Sequence, residues 1–173
     1  MKIFLFSLAI ISEFSNIGQN LLQHSLSSVP TSLMIVDNLA QSECTNQTEN
    51  FVLTYSAPTV SIAVKNLSII WSEKIESYNN PISAIPSQVT TQTRNKKLTN
   101  NQLDKLKKLI KSSGFMNLAT EYGAPPNKRY YPYSISVCLG KKQKKVFYRS
   151  NPSYGNSPEA FQIVEDYLQQ LIK

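Results

Sequence analysis

The chain has 173 residues, with 18 Lys and Arg against 11 Asp and Glu for a formal net charge of +7, and 41% of its residues are hydrophobic. That length supplies one domain with an apolar core rather than several. One histidine and two cysteines exclude paired-histidine metal sites, Cys-x-x-Cys redox pairs and tetrahedral thiolate zinc centres.

At the start, Lys2 precedes an apolar run from Ile3 to Ile11 broken only by Ser7. This is the layout of an export-signal core, and it is shorter than the ~20 residues of a membrane-spanning helix. No Ala-x-Ala cleavage site follows; Ser12 and Ser15 are the nearest small residues. Three readings stand: an export signal, a retained hydrophobic N-terminus that contacts a membrane, and a frayed cytosolic start. Export leads, giving a secreted or periplasmic protein. From Ser12 to Asn50 the chain is mainly Ser, Asn, Gln and Thr around the apolar patch Ser32 to Val36. Such a composition repays little of the entropy of ordering, so residues 1–50 read as a signal-like segment and weakly ordered leader. Cys44 belongs to the leader and Cys138 to the following domain. Export permits one disulfide between them; as separate buried thiols they would carry no function.

Residues 51–173 read as a single α+β domain, a small antiparallel sheet packed against two helices. Phe51, Leu53 and Tyr55 alternate, Val60, Ile62 and Val64 alternate again, and Leu67 to Ile75 forms a third apolar run, with a turn at Lys65-Asn66. Tyr78 to Lys97, interrupted by Pro81 and Pro86 and dominated by Ser, Thr, Gln and Asn, reads as a long loop. Thr99 and Gln102 form a capping box for a helix with Leu103, Leu106, Leu109 and Ile110 on one stripe and Lys105, Lys107, Lys108 and Lys111 elsewhere. Gly114 ends that helix. Strands follow at Tyr130 to Leu139 and Lys144 to Ser150, joined through Gly140-Lys141-Lys142-Gln143. A second helix opens with Ser157 as cap and Pro158 in its first turn, and packs through Phe161, Val164, Leu168, Leu171 and Ile172.

Fourteen of the eighteen Lys and Arg residues fall between Arg94 and Arg149, opposed there only by Asp104 and Glu121, a formal +12 in that window. Such a field steers negatively charged partners to one region. The candidate partner-binding residues are Lys105, Lys108, Lys141, Lys142, Lys144 and Lys145, with Arg149 and Tyr154 beside the Arg149–Gly155 connection. Tyr130, Tyr131 and Tyr133 add stacking surfaces, which makes nucleic-acid binding the alternative to an acidic protein. No catalytic set emerges. His24, the sole histidine, lies in the leader, so a Ser/His/Asp triad has no base in the domain. Gly140-Lys141-Lys142 lacks the glycine spacing of a phosphate loop. Glu165 and Asp166 read as a solvent-exposed pair. The expectation is a non-enzymatic domain without catalytic, metal or cofactor residues.

The segments KLTNNQLDKLKKLIKSSGFMNLATEY, YYPYSISVCLGKKQKKVFYRS and SPEAFQIVEDYLQQLI together resemble an uncharacterised small domain of cyanobacterial and other bacterial proteins. More distantly, they are similar to the emfourin group of metalloproteinase inhibitors. The shared scheme is a helix ending before Gly114-Phe115, an aromatic strand around Tyr131-Pro132-Tyr133, a basic hairpin and a closing helix, spanning Leu98 to Ile172. The resemblance implies a compact α/β fold and, through the inhibitor group, binding to a secreted proteinase without turnover. Where that group carries Arg-Ser-Gly-Gly-Phe, this chain has Tyr55-Ser56-Ala57-Pro58.

Overall fold

A computed structural model describes residues 51–80, 82 and 85–173. The signal-like segment, the leader, His24 and Cys44 lie outside the described residues. Among the described residues seven strands form one sheet: β1 (Phe51–Ser56), β2 (Val60–Lys65), β3 (Ser68–Ser77), β4 (Gln88–Lys97), β5 (Glu121–Gly123), β6 (Tyr131–Leu139) and β7 (Lys142–Ser150). Their spatial order is β4-β3-β2-β1-β6-β7-β5. All neighbours are antiparallel except β5, which runs parallel to β7. Among the described residues two helices, α1 (Asn100–Ser112) and α2 (Glu159–Ile172), complete the α+β fold.

The alternating residues of the central strands select the buried face. Leu53 is in register with Val64 on one side and Val137 on the other, and Tyr55 with Ile62 and Ile135. These six side chains are buried with Ile69, Trp71 and Val146 on the same face. Leu103, Leu106 and Ile110 of α1 and Phe161, Val164, Leu168 and Leu171 of α2 close that core. Each fully buried large side chain contributes roughly 1.5 to 3 kcal/mol before entropy is counted. The opposite face carries a run of small and hydroxyl side chains, among them Thr54, Ser61, Ala63, Ser72, Thr93 and Ser136, beside Ile70, Phe147 and Lys145. Val52, Thr54, Ser61 and Cys138 are buried on it.

Local signals account for the element ends. Asn66 adopts a left-handed φ of 50° at the β2–β3 turn, and its side chain accepts a hydrogen bond from the Phe51 amide. The Thr99 hydroxyl accepts from the Gln102 amide while the Gln102 side chain accepts from the Thr99 amide, so both halves of the capping box are present. Gly114, at φ 78°, turns the chain out of α1 and into the short 3₁₀ turn Phe115–Asn117.

Three expectations are corrected. Gln88–Lys97 is not loop but a ten-residue strand paired along its length with β3. The sheet gains the short parallel strand β5, held by the backbone bonds Phe147 N–H to Thr120 and Ala124 N–H to Arg149. Finally, α2 begins one residue later than its sequence pattern suggests. Pro158 sits at the cap with no side-chain cap bond, and Ser157 contributes its carbonyl to the Gln162 side chain.

Candidate interaction surface

The strand directions gather the lysines at one end of the sheet. At that end β2 finishes with Lys65, β4 finishes with Lys96 and Lys97, and the β6–β7 turn carries Lys141, Lys142, Lys144 and Lys145. Register ties them into rows. Lys96, Ile69, Val64, Leu53, Val137 and Lys144 lie side by side across six strands, as do Phe51, Leu139 and Lys142 across three.

Helix α1 crosses the same end. It starts beside the β2–β3 turn, where the Leu98 amide donates to the Leu67 carbonyl at 2.7 Å. By its second turn it lies over β1, with the Lys107 ammonium 5.7 Å from the centre of the Phe51 ring. Since Phe51 and Lys142 are two strand spacings apart, roughly 9.5 Å, the helical lysines, Lys142 and Lys144 meet on the helix-bearing side of that end, while Lys65, Lys97 and Lys145, in the rows of Val52, Cys138 and Ser136, leave the same end on the opposite side. Lys107, Lys108 and Lys111 line a shallow depression with Asp104 and Ser112, while Lys65, Lys96 and Lys97 line another with Leu67, Ser68 and Asn95. Leu103, Leu106 and Ile110 are buried beneath the helical lysines, as the amphipathic pattern requires.

The candidates separate in space. Lys108, Lys141, Lys142 and Lys145 are exposed at the basic end and Lys144 is half-buried there. Lys105 turns toward α2, its ammonium 4.8 Å from the centre of the Tyr167 ring. Arg149 and Tyr154 lie past the opposite end of β7. Arg149 is engaged inside the fold: it pairs with Glu121 at 3.0 Å and approaches the Phe147 and Tyr130 rings at 5.1 and 5.7 Å. Tyr131 pairs with Ser150 while Leu139 pairs with Lys142, so the tyrosine cluster stands at the far end of β6 from the lysines. Eight residues of strand separate them, about 27 Å.

Sequence reasoning missed a second surface. The β3–β4 hairpin runs beyond the helices as an arm, and its outer half carries Ile75, Tyr78, Ile82, Ile85 and Val89, all exposed. Ile82 is 90% and Ile85 78% exposed. Five large apolar side chains on one fingertip are a stronger interaction signal than scattered exposed residues. The signal was present in the sequence as two isoleucines inside a Ser/Pro-rich stretch.

The helix-facing core holds one polar cluster. Tyr55 donates from its hydroxyl to Glu165 Oε1 at 2.5 Å. This corrects the reading of Glu165 as solvent-exposed: it is half-buried against β1, while Asp166 is exposed. Burial pushes the Glu165 carboxyl above the ordinary glutamate range, and the Tyr55 hydrogen bond offsets part of that shift. Burial also raises the Tyr55 hydroxyl, reinforced by the adjacent carboxylate. Cys138, near the basic end, is disulfide-bonded. Cys44 is the only other cysteine in the sequence.

Among the described residues no group of three or more His, Cys, Asp or Glu is placed to hold a metal ion. Among them, too, no helix is long and apolar enough to cross a membrane. No protein-family model matches the chain, and no curated protein does.

Proposed function

We propose that this protein is a non-enzymatic, exported interaction domain that docks an acidic protein on its basic end. The observation that carries the reading is the convergence of Lys65, Lys96, Lys97, Lys107, Lys142 and Lys144 on one end of a rigid sheet. An end of a single charge sign steers a negatively charged partner's approach. The disulfide at Cys138 supports export, because such bonds persist in oxidising compartments. Separation of the lysines from the tyrosine cluster favours an acidic protein over nucleic acid, which would use both together.

The test is affinity capture from the exported fraction of the host, with wild type beside Lys107→Glu/Lys142→Glu/Lys144→Glu. The expected result is an acidic protein retained at low salt by wild type and lost by the variant. Equal recovery on both would end this reading. A low-salt gel shift with RNA and single-stranded DNA is expected to show no complex.

The apolar-tipped arm favours one concrete version, a proteinase inhibitor. A narrow hairpin ending in Ile82 and Ile85 has a shape that can enter a cleft, and the resemblance to emfourin-type inhibitors points the same way. Titrating secreted metalloproteinases with the domain is expected to give stoichiometric loss of activity. Full residual activity across a broad panel would remove this version while leaving the basic-end reading intact.

A further inference from the structure

Strand β4 is an outer strand of the sheet, and among the described residues nothing pairs with its free edge. Hydrogen bonding fixes which of its backbone groups face outward. The Leu98 amide donates to the Leu67 carbonyl in the register that continues the β3–β4 ladder. In an antiparallel ladder each residue turns both its N–H and its C=O toward the same neighbour, and successive residues alternate. Even-numbered residues of β4 therefore bond β3. The β3 side agrees, since the even-numbered Lys74 donates the other way, to Thr59 beside β2. Val89, Thr91, Thr93, Asn95 and Lys97 turn both backbone groups to the free edge.

A ten-residue edge without proline is a template for another strand. Its charge is uneven. Arg94, Lys96 and Lys97 occupy one half, while Gln88 to Thr93 is uncharged.

We infer that β4 is a self-association edge, pairing antiparallel with β4 of a second copy about a twofold axis through Thr93. Antiparallel geometry requires outward residues to meet outward residues. Centred on Thr93, Thr91 faces Asn95 and Val89 faces Lys97 of the other copy, so all five outward residues are bonded. The intervening pairs are Thr90 with Lys96 and Gln92 with Arg94. Every cation then faces a neutral residue. Centring on Arg94 opposes two guanidinium groups, and centring on Asn95 places Arg94 against Lys96 twice. Centring on Gln92 avoids like charges but leaves Lys97 without a strand partner. A parallel arrangement aligns the two cationic halves. The twofold axis is perpendicular to the sheet, so the helices of both copies lie on one face and the basic ends point in opposite directions.

Sedimentation of the full chain over a concentration series is expected to show a monomer–dimer equilibrium. Thr93→Pro removes an outward N–H that β3 does not use, so it is expected to abolish the dimer and leave the circular dichroism of the monomer unchanged. Val89→Lys sets lysine against Lys97 at two symmetry-related positions and is expected to weaken the dimer about tenfold. Adding Lys97→Glu to Val89→Lys is expected to restore it. Amide exchange on dimerisation is expected to slow at Thr91, Thr93 and Asn95, with no change at Gln92 and Arg94, already bonded to β3. A monomer at every concentration overturns the inference. So does a dimer indifferent to both Thr93→Pro and Val89→Lys, or a failure of Lys97→Glu to rescue Val89→Lys.

Discussion

Tyr55 and Glu165 show how much one contact can set. The tyrosine projects from the central strand into the helix layer, and Glu165 is the side chain of α2 that meets it. Burial raises the glutamate above its unfolded value, so the folded state binds the proton more tightly. The stabilisation is complete below the ordinary glutamate range and is lost as pH rises through the raised value. Thermal unfolding followed across that window is expected to show the melting temperature falling with pH in wild type. Glu165→Gln keeps a partner for Tyr55 and is expected to flatten that part of the curve; a slope matching wild type would exclude Glu165 as the group. Gly123 sets a second constraint. It has φ 85°, and a Cβ there would meet the Arg149 carbonyl across the β5–β7 ladder. Gly123→Ala is expected to destabilise the domain by about 1–3 kcal/mol in denaturant titration. Neither feature was legible in the sequence, because each depends on a residue more than twenty positions away.

Among the elements, α1 was written locally and β4 was not. The capping box, the leucine stripe and the terminating glycine all lie within the single stretch from Thr99 to Gly114, and the observed helix follows them. Thr99→Ala is expected to cost about 1 kcal/mol, and Leu106→Ala about 2–5 kcal/mol because its side chain is fully buried. Equilibrium unfolding checks both. Almost all of β4, by contrast, is exposed on both faces. A strand with no buried side offers no alternation to read, and its Gln, Thr and Asn content matches that of a loop. What makes it a strand is the ladder to β3, which is long-range information. The short β5 escaped for the same reason: three residues become a strand only because β7 lies alongside.

For the whole molecule, charge and covalent closure are the two properties that act at a distance. The basic end is a product of topology, since the ends of three strands and a crossing helix must coincide there before separate lysine clusters gather at one end. Its binding is expected to weaken steeply with added salt, as screening shortens the reach of exposed charges to about 8–10 Å. The disulfide at Cys138 sits near that end. If Cys44 is its partner, Cys44→Ser yields a free Cys138 thiol and a melting temperature that no longer responds to reductant, whereas wild type loses about 2–5 kcal/mol on reduction. Thiol titration and non-reducing mass measurement decide this directly.

Local patterning in the sequence settled the fold class, the helices, five of the seven strand positions in outline and the sidedness of α1, because periodicity and capping are carried by neighbouring residues. Here the outline covers β1, β2, β3, β6 and β7, with the β4 segment recognised only as polar chain. Tertiary structure alone decided that the lysines share one end, that Arg149 is taken up by Glu121, and that a polar stretch becomes an open strand edge. Those outcomes depend on strand order and register, which are set by contacts between distant segments and by the burial of one sheet face.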